Sequence, residues 1–252
     1  MGKCPLCRTP EVAIRGSHVM PKWSYRRVRD ATAKNPNPMV VANGVAIQSS
    51  KQAREYMLCD ACEQRLGRLD DWASRVLYQA DGSAPLLTRT VRDPGGWLTL
   101  TDEDADNLAR FCLSILWRAH TATSLSTSLG AYGDVVRDYL MASSDLPPEI
   151  VPIACFYECS PGGGSDIRAL ATTPASSRNA GYHQHRFALC GLDAIIAVGR
   201  QVPAVYRKYC LIRSTPRRVL LVASDTIIDW LAKPFAKAVA WRHKRGLPLP
   251  FT

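Results

Sequence analysis

At 252 residues, with 46% hydrophobic and 21% charged side chains, the chain has an ordinary globular composition and room for one large domain or two modest ones. No apolar run approaches the ~20 residues needed to span a bilayer. The Met1-Gly2-Lys3-Cys4 start lacks the apolar core of a secretory leader, so the sequence reads as cytoplasmic, with no membrane partner.

The formal charge of +10 is spread over both halves: residues 1–100 hold 15 Lys/Arg against 9 Asp/Glu, and the remainder 17 against 13. A basic protein is drawn to polyanions, which makes nucleic acid the leading partner class. Nine cysteines, an odd number, without a secretory leader read as thiols or metal ligands rather than as a disulfide framework.

Taken in order, residues 1–11 form a turn-rich start around Cys4-Pro5-Leu6-Cys7. Val12 to Met20 reads as an extended stretch with His18 near its end, stopped by Pro21. Trp23 to Asp30 begins a helix, and a Pro/Asn-rich loop follows. Asn43-Gly44 between two β-prone runs, 39–42 and 45–47, is the strongest short-range hairpin signal. From Asp60 to about Tyr78, apolar residues recur at spacings of three and four, which predicts a helix opening at Cys59-Asp60-Ala61-Cys62-Glu63. Residues 81–100 read as a linker. A second helix starts at Thr101, where Thr101-x-x-Asp104 has the form of a capping box with Asp for Glu. A shorter helix is expected around Gly133 to Met141. Strands follow at Ile150–Glu158, Arg186–Val198 and Arg218–Ala223, and a helix from about Asp225 to Lys244, kinked at Pro234, closes the chain. The glycine-rich loop Ser160–Asp166 lacks the Gly-Lys-Ser/Thr ending of a phosphate-binding loop and reads as a connection.

Two C-x-x-C pairs can present four thiolates at tetrahedral spacing, so Cys4, Cys7, Cys59 and Cys62 are expected to bind one structural Zn²⁺. The 51 residues between the pairs exceed a simple zinc ribbon, so further structure is built inside the loop. Cys155, Cys190 and Cys210 read as buried small hydrophobes. Cys155 and Cys159 lie ~13 Å apart along a strand, too far to share an ion. Trp117 and Arg118 at the end of the second helix read as packing and a helix-end charge, with an active-site role as the alternative if the two modules touch.

A knuckle (Cys4-Pro-Leu-Cys7), then a histidine with proline shortly after (Ser17-His18-Val-Met-Pro21), then Leu58-Cys59-Asp-Ala-Cys62-Glu63 opening a helix, resembles the treble-clef HNH (ββα-metal) endonucleases. The resemblance covers roughly residues 1–75. It implies an α+β protein: a zinc-bound treble-clef/ββα module over 1–80, the linker, and a mixed α+β domain over 101–252 of unread role in substrate selection or regulation. It further implies that His18 is the general base and that Glu63 is a catalytic residue and ligand of a catalytic Mg²⁺ or other divalent ion. The family usually carries Asp or His where Ser17 stands and Asn where Glu63 stands, and Asp60, Gln64 or Asp70 would have to complete the ligand set. Lys22, Arg26, Arg27 and Arg29, interleaved with Trp23 and Tyr25, have the composition of a phosphate grip, which Lys51, Arg54, Arg65 and Arg68 would extend. The expected partner is nucleic acid, DNA ahead of RNA, with a homo-oligomer or a defence-system protein as a further partner, since related multidomain nucleases often act in bacterial defence against phages. The alternative is a zinc-stabilised nucleic-acid-binding or regulatory protein without catalysis, for which Ser17 is the main support.

Overall fold

The computed structural model describes residues 1–29, 37, 39–42, 45–79, 81–94, 97–158, 170–223, 240 and 244–246. The closing helix expected from 225 to 244 and the Ser160–Asp166 loop lie outside the described residues, apart from scattered positions of the former. The protein is of mixed α/β type, and its strands and helices follow from the periodicities above.

Near the N-terminus, β1 (Ile14–His18) pairs antiparallel with β4 (Arg54–Cys59), in register Ile14↔Cys59 and His18↔Arg54, with an irregularity between Arg15 and Gly16. Between them lie α1 (Lys22–Arg27) and the hairpin of β2 (Met39–Ala42) and β3 (Val45–Gln48), whose register brings Ala42 opposite Val45, as the Asn-Gly signal requires. β4 runs directly into α2 (Asp60–Val76), whose Leu66, Ala73 and Val76 are buried.

α4 (Asp102–Thr121) is the central helix. Thr101 caps it by accepting a hydrogen bond from the Asp104 N–H at 3.1 Å, and three acids fill its first turn. Its residues from Leu108 to Ala119 are buried on nearly every side, except Arg110, because α2, α5 (Tyr132–Leu140) and the large sheet all pack on it. No described helix is long and apolar enough to cross a membrane.

The large sheet has seven strands in the order β5-β6-β11-β7-β10-β9-β8. These are β5 (Val91–Arg92), β6 (Leu98–Thr99), β7 (Ile150–Glu158), β8 (Ala175–Asn179), β9 (Tyr182–Leu189), β10 (Leu192–Val198) and β11 (Arg218–Ala223). β11 runs parallel to β7, and all other neighbours are antiparallel. Two expectations need correcting. The stretch 81–100 is no linker: it carries α3 (Pro85–Thr88), β5 and β6, and β6 pairs with β11 inside the sheet. The single run Arg186–Val198 is two strands, β9 and β10, turned at Cys190-Gly191. Both turn residues have positive φ, 46° and 83°, so Cys190 adopts the backbone that Asn usually supplies in such a hairpin. Gly191 is required for a second reason: a Cβ there would come within 2.2 Å of the Tyr78 ring. The Tyr78 hydroxyl donates to the Tyr157 carbonyl at 2.8 Å, so the end of α2 is seated on the sheet.

Buried residues from Cys4 to Val219 form one continuous core, shared by the cysteine-bearing part and the sheet. Two polar clamps join them. Arg118 of α4, 3% exposed, makes a two-pronged ion pair with Asp70 of α2 at 2.8 and 2.9 Å and donates to the His18 carbonyl at 3.1 Å. Arg118 is therefore more than packing and a helix-end charge. Glu55 of β4 accepts the N–H groups and hydroxyls of Thr123 and Ser124, just beyond α4.

Because the Arg118–Asp70 pair is largely out of water, removing one partner strands the other. Arg118→Ala is expected to lower unfolding stability by about 3–5 kcal/mol in a denaturant titration, and Asp70→Leu with Arg118→Met to recover most of it. The hydrogen bonds to Glu55, the Ser124 hydroxyl foremost, hold its carboxyl down at about 2. A lowered carboxyl contributes stability above its unfolded value and loses it as the pH falls through the folded one. Hydrogen-exchange protection at Thr123 and Ser124 is therefore expected to persist at neutral pH, to fade as the pH drops from about 4.5 toward 2, and to be low throughout in Glu55→Gln.

Candidate metal centre

The first turn of the centre is a tight knuckle. The Cys4 N–H donates to the Thr9 carbonyl at 3.0 Å and the Arg8 N–H to the Cys4 carbonyl at 2.7 Å, with Arg8 at φ 63°. This geometry turns both sulfurs of the first pair to one side. The second pair straddles the β4–α2 junction: Cys59 is the helix N-cap, in extended conformation, and Cys62 lies in the first turn. The Cys59 N–H points at the Cys4 sulfur, 3.4 Å away.

All four sulfur atoms lie within 4.8 Å of one another, and Cys7 Sγ and Cys59 Sγ are 3.7 Å apart. Four thiolates in a tetrahedron around zinc at ~2.3 Å stand about 3.8 Å apart, so the residues fit that ion. Cys4, Cys59 and Cys62 are buried and Cys7 half-buried, as befits a closed structural site rather than an open catalytic one. Burial, with the neighbouring sulfurs, pushes the Cys62 thiol up. At Cys7 burial acts upward too, but hydrogen bonds from Thr9 prevail and lower it to about 6. Four acidic-proton groups of this kind, packed together, are stabilised when one cation takes all four as thiolates. Among the described residues this is the one group of three or more His, Cys, Asp and Glu side chains positioned for a metal. Cys112, Cys155, Cys190 and Cys210 are buried free thiols elsewhere, and Cys159 lies outside the described residues.

After this cluster in the fold, α2 and β1 bring Glu63 and Ser17 together, and His18 follows on the other face of β1. Glu63 follows Cys62 in the first turn of α2, where the helix dipole favours a carboxylate. Ser17 of β1 is fully buried and donates its hydroxyl to Glu63 Oε2 at 2.6 Å. His18, the next residue, is half-buried, and the Gln52 side chain hydrogen-bonds its imidazole. Burial lowers the His18 pKa first of all; Arg54 and Lys22 add to this, while Gln52 and Glu63 oppose it. The net effect keeps the ring neutral at neutral pH. Its position is held from behind by the Arg118 contact to its carbonyl.

The other expected ligands are engaged elsewhere. Asp70 is held by Arg118. Asp60 accepts from Gln64 at 3.0 Å and pairs with Arg15 at 3.5 Å. Of the expected phosphate grip, Lys22, Arg26 and Arg29 are exposed. Arg27 is not: it turns inward, donating to the carbonyls of Ser74 and Tyr78 and lying 4.4 Å over the Trp23 ring. It staples α1 to the end of α2, so its charge is spent on structure. Arg65 likewise reaches the Met141 carbonyl. Gln52 escaped sequence reasoning because nothing local marks it, and Arg118 reaches the His18 carbonyl because the two parts of the chain touch, the condition its alternative reading required.

Comparison with protein-family models, with curated proteins and with solved structures returned no match.

If the cysteine cluster holds zinc as a structural ion, the purified chain carries one equivalent of it. Stripping that ion with a strong chelator is expected to unfold residues 1–76 together with the packing on α4, seen as loss of near-UV circular dichroism. Cys59→Ser and Cys62→Ser are expected to abolish stoichiometric zinc, measured by metal analysis.

Proposed function

We propose that the first part of the chain is a zinc-stapled nuclease module of the HNH (ββα-metal) kind that hydrolyses phosphodiester bonds in DNA. The observation carrying this reading is the Ser17–Glu63 hydrogen bond next to His18: a carboxylate on the first helical turn is bonded to the strand whose next residue, on the other face, is a neutral imidazole near enough to feel the charge of Glu63. A strand pair leading through Cys59 into a helix, with the last cysteine followed by a hard-cation ligand, agrees with the treble-clef arrangement.

In this reading Cys4, Cys7, Cys59 and Cys62 hold a structural Zn²⁺, and the chemistry is done next door. His18 accepts the proton of the attacking water, a task for which a neutral ring is ready at neutral pH. Gln52 and the Arg118 contact to the His18 carbonyl fix the direction in which that ring faces. Glu63 offers a carboxylate to a divalent ion such as Mg²⁺, which when bound would stabilise the charge developing on the phosphorane and the leaving oxygen. Ser17 orients Glu63 through its hydroxyl. Lys22 and Arg54 are exposed and near enough to act on His18, and they, with the exposed Arg26 and Arg29 of the same segment as Lys22, are suited to phosphate oxygens. The sheet-bearing part, packed on the same core, would select substrate or gate activity, in a cytoplasmic setting such as antiphage defence, alone, as a homo-oligomer, or with a partner protein.

One observation favours a second reading. Ser17 stands where the family usually places a metal-binding Asp or His, and its hydroxyl occupies one oxygen of Glu63. A nucleic-acid-binding or regulatory module without catalysis has the same zinc frame and the same cations.

Supercoiled plasmid, linear duplex and single-stranded DNA, incubated with Mg²⁺, Mn²⁺ or Ni²⁺, separate the two. The nuclease reading expects metal-dependent cutting that His18→Ala and Glu63→Ala each reduce at least about 100-fold while zinc and fold are retained. Salt-sensitive binding with no cutting in any metal supports the second reading and rejects the first.

A further inference from the structure

The face of the β1–β4 pair turned away from Ser17 carries an aromatic ring that the fold leaves open. Tyr56 is 83% exposed, and its hydroxyl has no partner among the described residues. Its neighbour across the pair is Gly16, which has no side chain to cover the ring. Directly paired residues share a face, and every second residue repeats it. Gly16, His18, Arg54 and Tyr56 therefore form one surface, with His18 about 7 Å along the strand from the Gly16–Tyr56 row.

Arg54 completes that surface. Its Nε donates to the Gly16 carbonyl at 2.8 Å, and its guanidinium lies so close over Gly16 that a Cβ there would meet Nε at 2.7 Å and Nη2 at 2.9 Å. The guanidinium is thus fixed in place while its other N–H groups have no partner among the described residues. Glu55, the sole acid of the two strands, lies at the alternate register position, and its carboxylate is taken by Thr123 and Ser124. Neither strand then offers Arg54 a free acid, and at His18 the two cations Arg54 and Lys22 act against the single carboxylate of Glu63.

A bare ring beside an anchored guanidinium suits a nucleotide: the base stacks on the ring and the phosphate takes the fork of the arginine, since the one acid of the strands, Glu55, is engaged elsewhere. A duplex offers base edges in its grooves, not base faces, so a lone ring on a strand can stack only on a base that is already unpaired. A protein partner would call for apolar surroundings, yet among the described residues the other exposed large apolar side chains, Met1, Val91 and Val205, lie on other segments.

We propose that Gly16, Arg54 and Tyr56 form a stacking platform for an unpaired base of single-stranded DNA, delivering the adjoining phosphate to His18. The inference rests on the nuclease reading for the nature of the polymer, and names single-stranded or locally opened DNA as its substrate class.

The test is binding, kept apart from cutting: fluorescence anisotropy of a labelled mixed-sequence 20-mer DNA strand and of its duplex with the full chain, without added Mg²⁺. Tighter binding of the strand is expected. Tyr56→Ala should weaken it about 5- to 100-fold and leave duplex binding within about 2-fold, with Tyr56→Phe near wild type. Gly16→Val, which keeps every charge, should weaken strand binding as well. Arg54→Ala should weaken both ligands and reduce the salt dependence. Since Tyr56 is exposed, its replacement leaves the core intact. Unchanged strand binding by Tyr56→Ala, preference for duplex, or a Tyr56→Ala change in oligomeric state with no change in binding would each overturn the platform. Cutting that survives Tyr56→Ala unchanged on a single strand removes the platform but not the nuclease; Tyr56-dependent strand binding without cutting keeps the platform and removes the nuclease.

Discussion

Four thiols gathered within 4.8 Å, three of them buried, constrain everything in the first part of the chain. A cation shared by all four as thiolates would stabilise such crowding, and the spacing of the sulfurs fits one. The gathering closes a loop of 51 residues, and the chain-entropy cost of that closure is large and fixed. In return, the β4–α2 junction is pinned at Cys59 and Cys62. Because Ile14 pairs with Cys59, the register of β1 is pinned at the same end, and Ser17 and His18 are delivered to fixed places beside Glu63.

The second constraint comes from a distance of a hundred residues. Arg118 closes on Asp70 and on the His18 carbonyl, so the residue proposed as base is held by the helix that also carries the sheet. Tyr78 against Gly191, and Glu55 against the turn after α4, serve the same end. The strand pair is thin: one face carries Ser17 and Glu55 toward α2 and the turn after α4, and the other carries the exposed Arg54 and Tyr56. Its rigidity is therefore borrowed from the larger core. That arrangement lets Arg54 and Tyr56 stay exposed: Ser17 and Glu55, on the opposite face, carry contacts to α2 and to the turn after α4.

Much of this was legible in the residues. Regular apolar spacing marked α2 and α4, the Thr101 cap set the start of α4 within one residue, and Asn-Gly marked the β2–β3 hairpin. The two C-x-x-C pairs marked the cysteine cluster, because metal ligation imposes a spacing that survives in sequence. What escaped notice were features without a local signature. β5 and β6 are two residues each, too short for a period to show. The β9–β10 turn uses Cys190-Gly191 in place of Asn-Gly, so one apolar run concealed two strands. In sequence Arg27 reads as part of a phosphate grip and Arg118 as a helix-end charge, and only the fold shows that each is consumed by backbone carbonyls or a buried carboxylate.

The account stands or falls on what the four sulfurs hold. X-ray absorption at the zinc edge, on the full chain purified without chelators, tests it most directly. One zinc per chain with four sulfur neighbours at about 2.3 Å, and no nitrogen or oxygen in the first shell, is the predicted result. A first shell containing imidazole or carboxylate, or a folded chain without any bound metal, would contradict it.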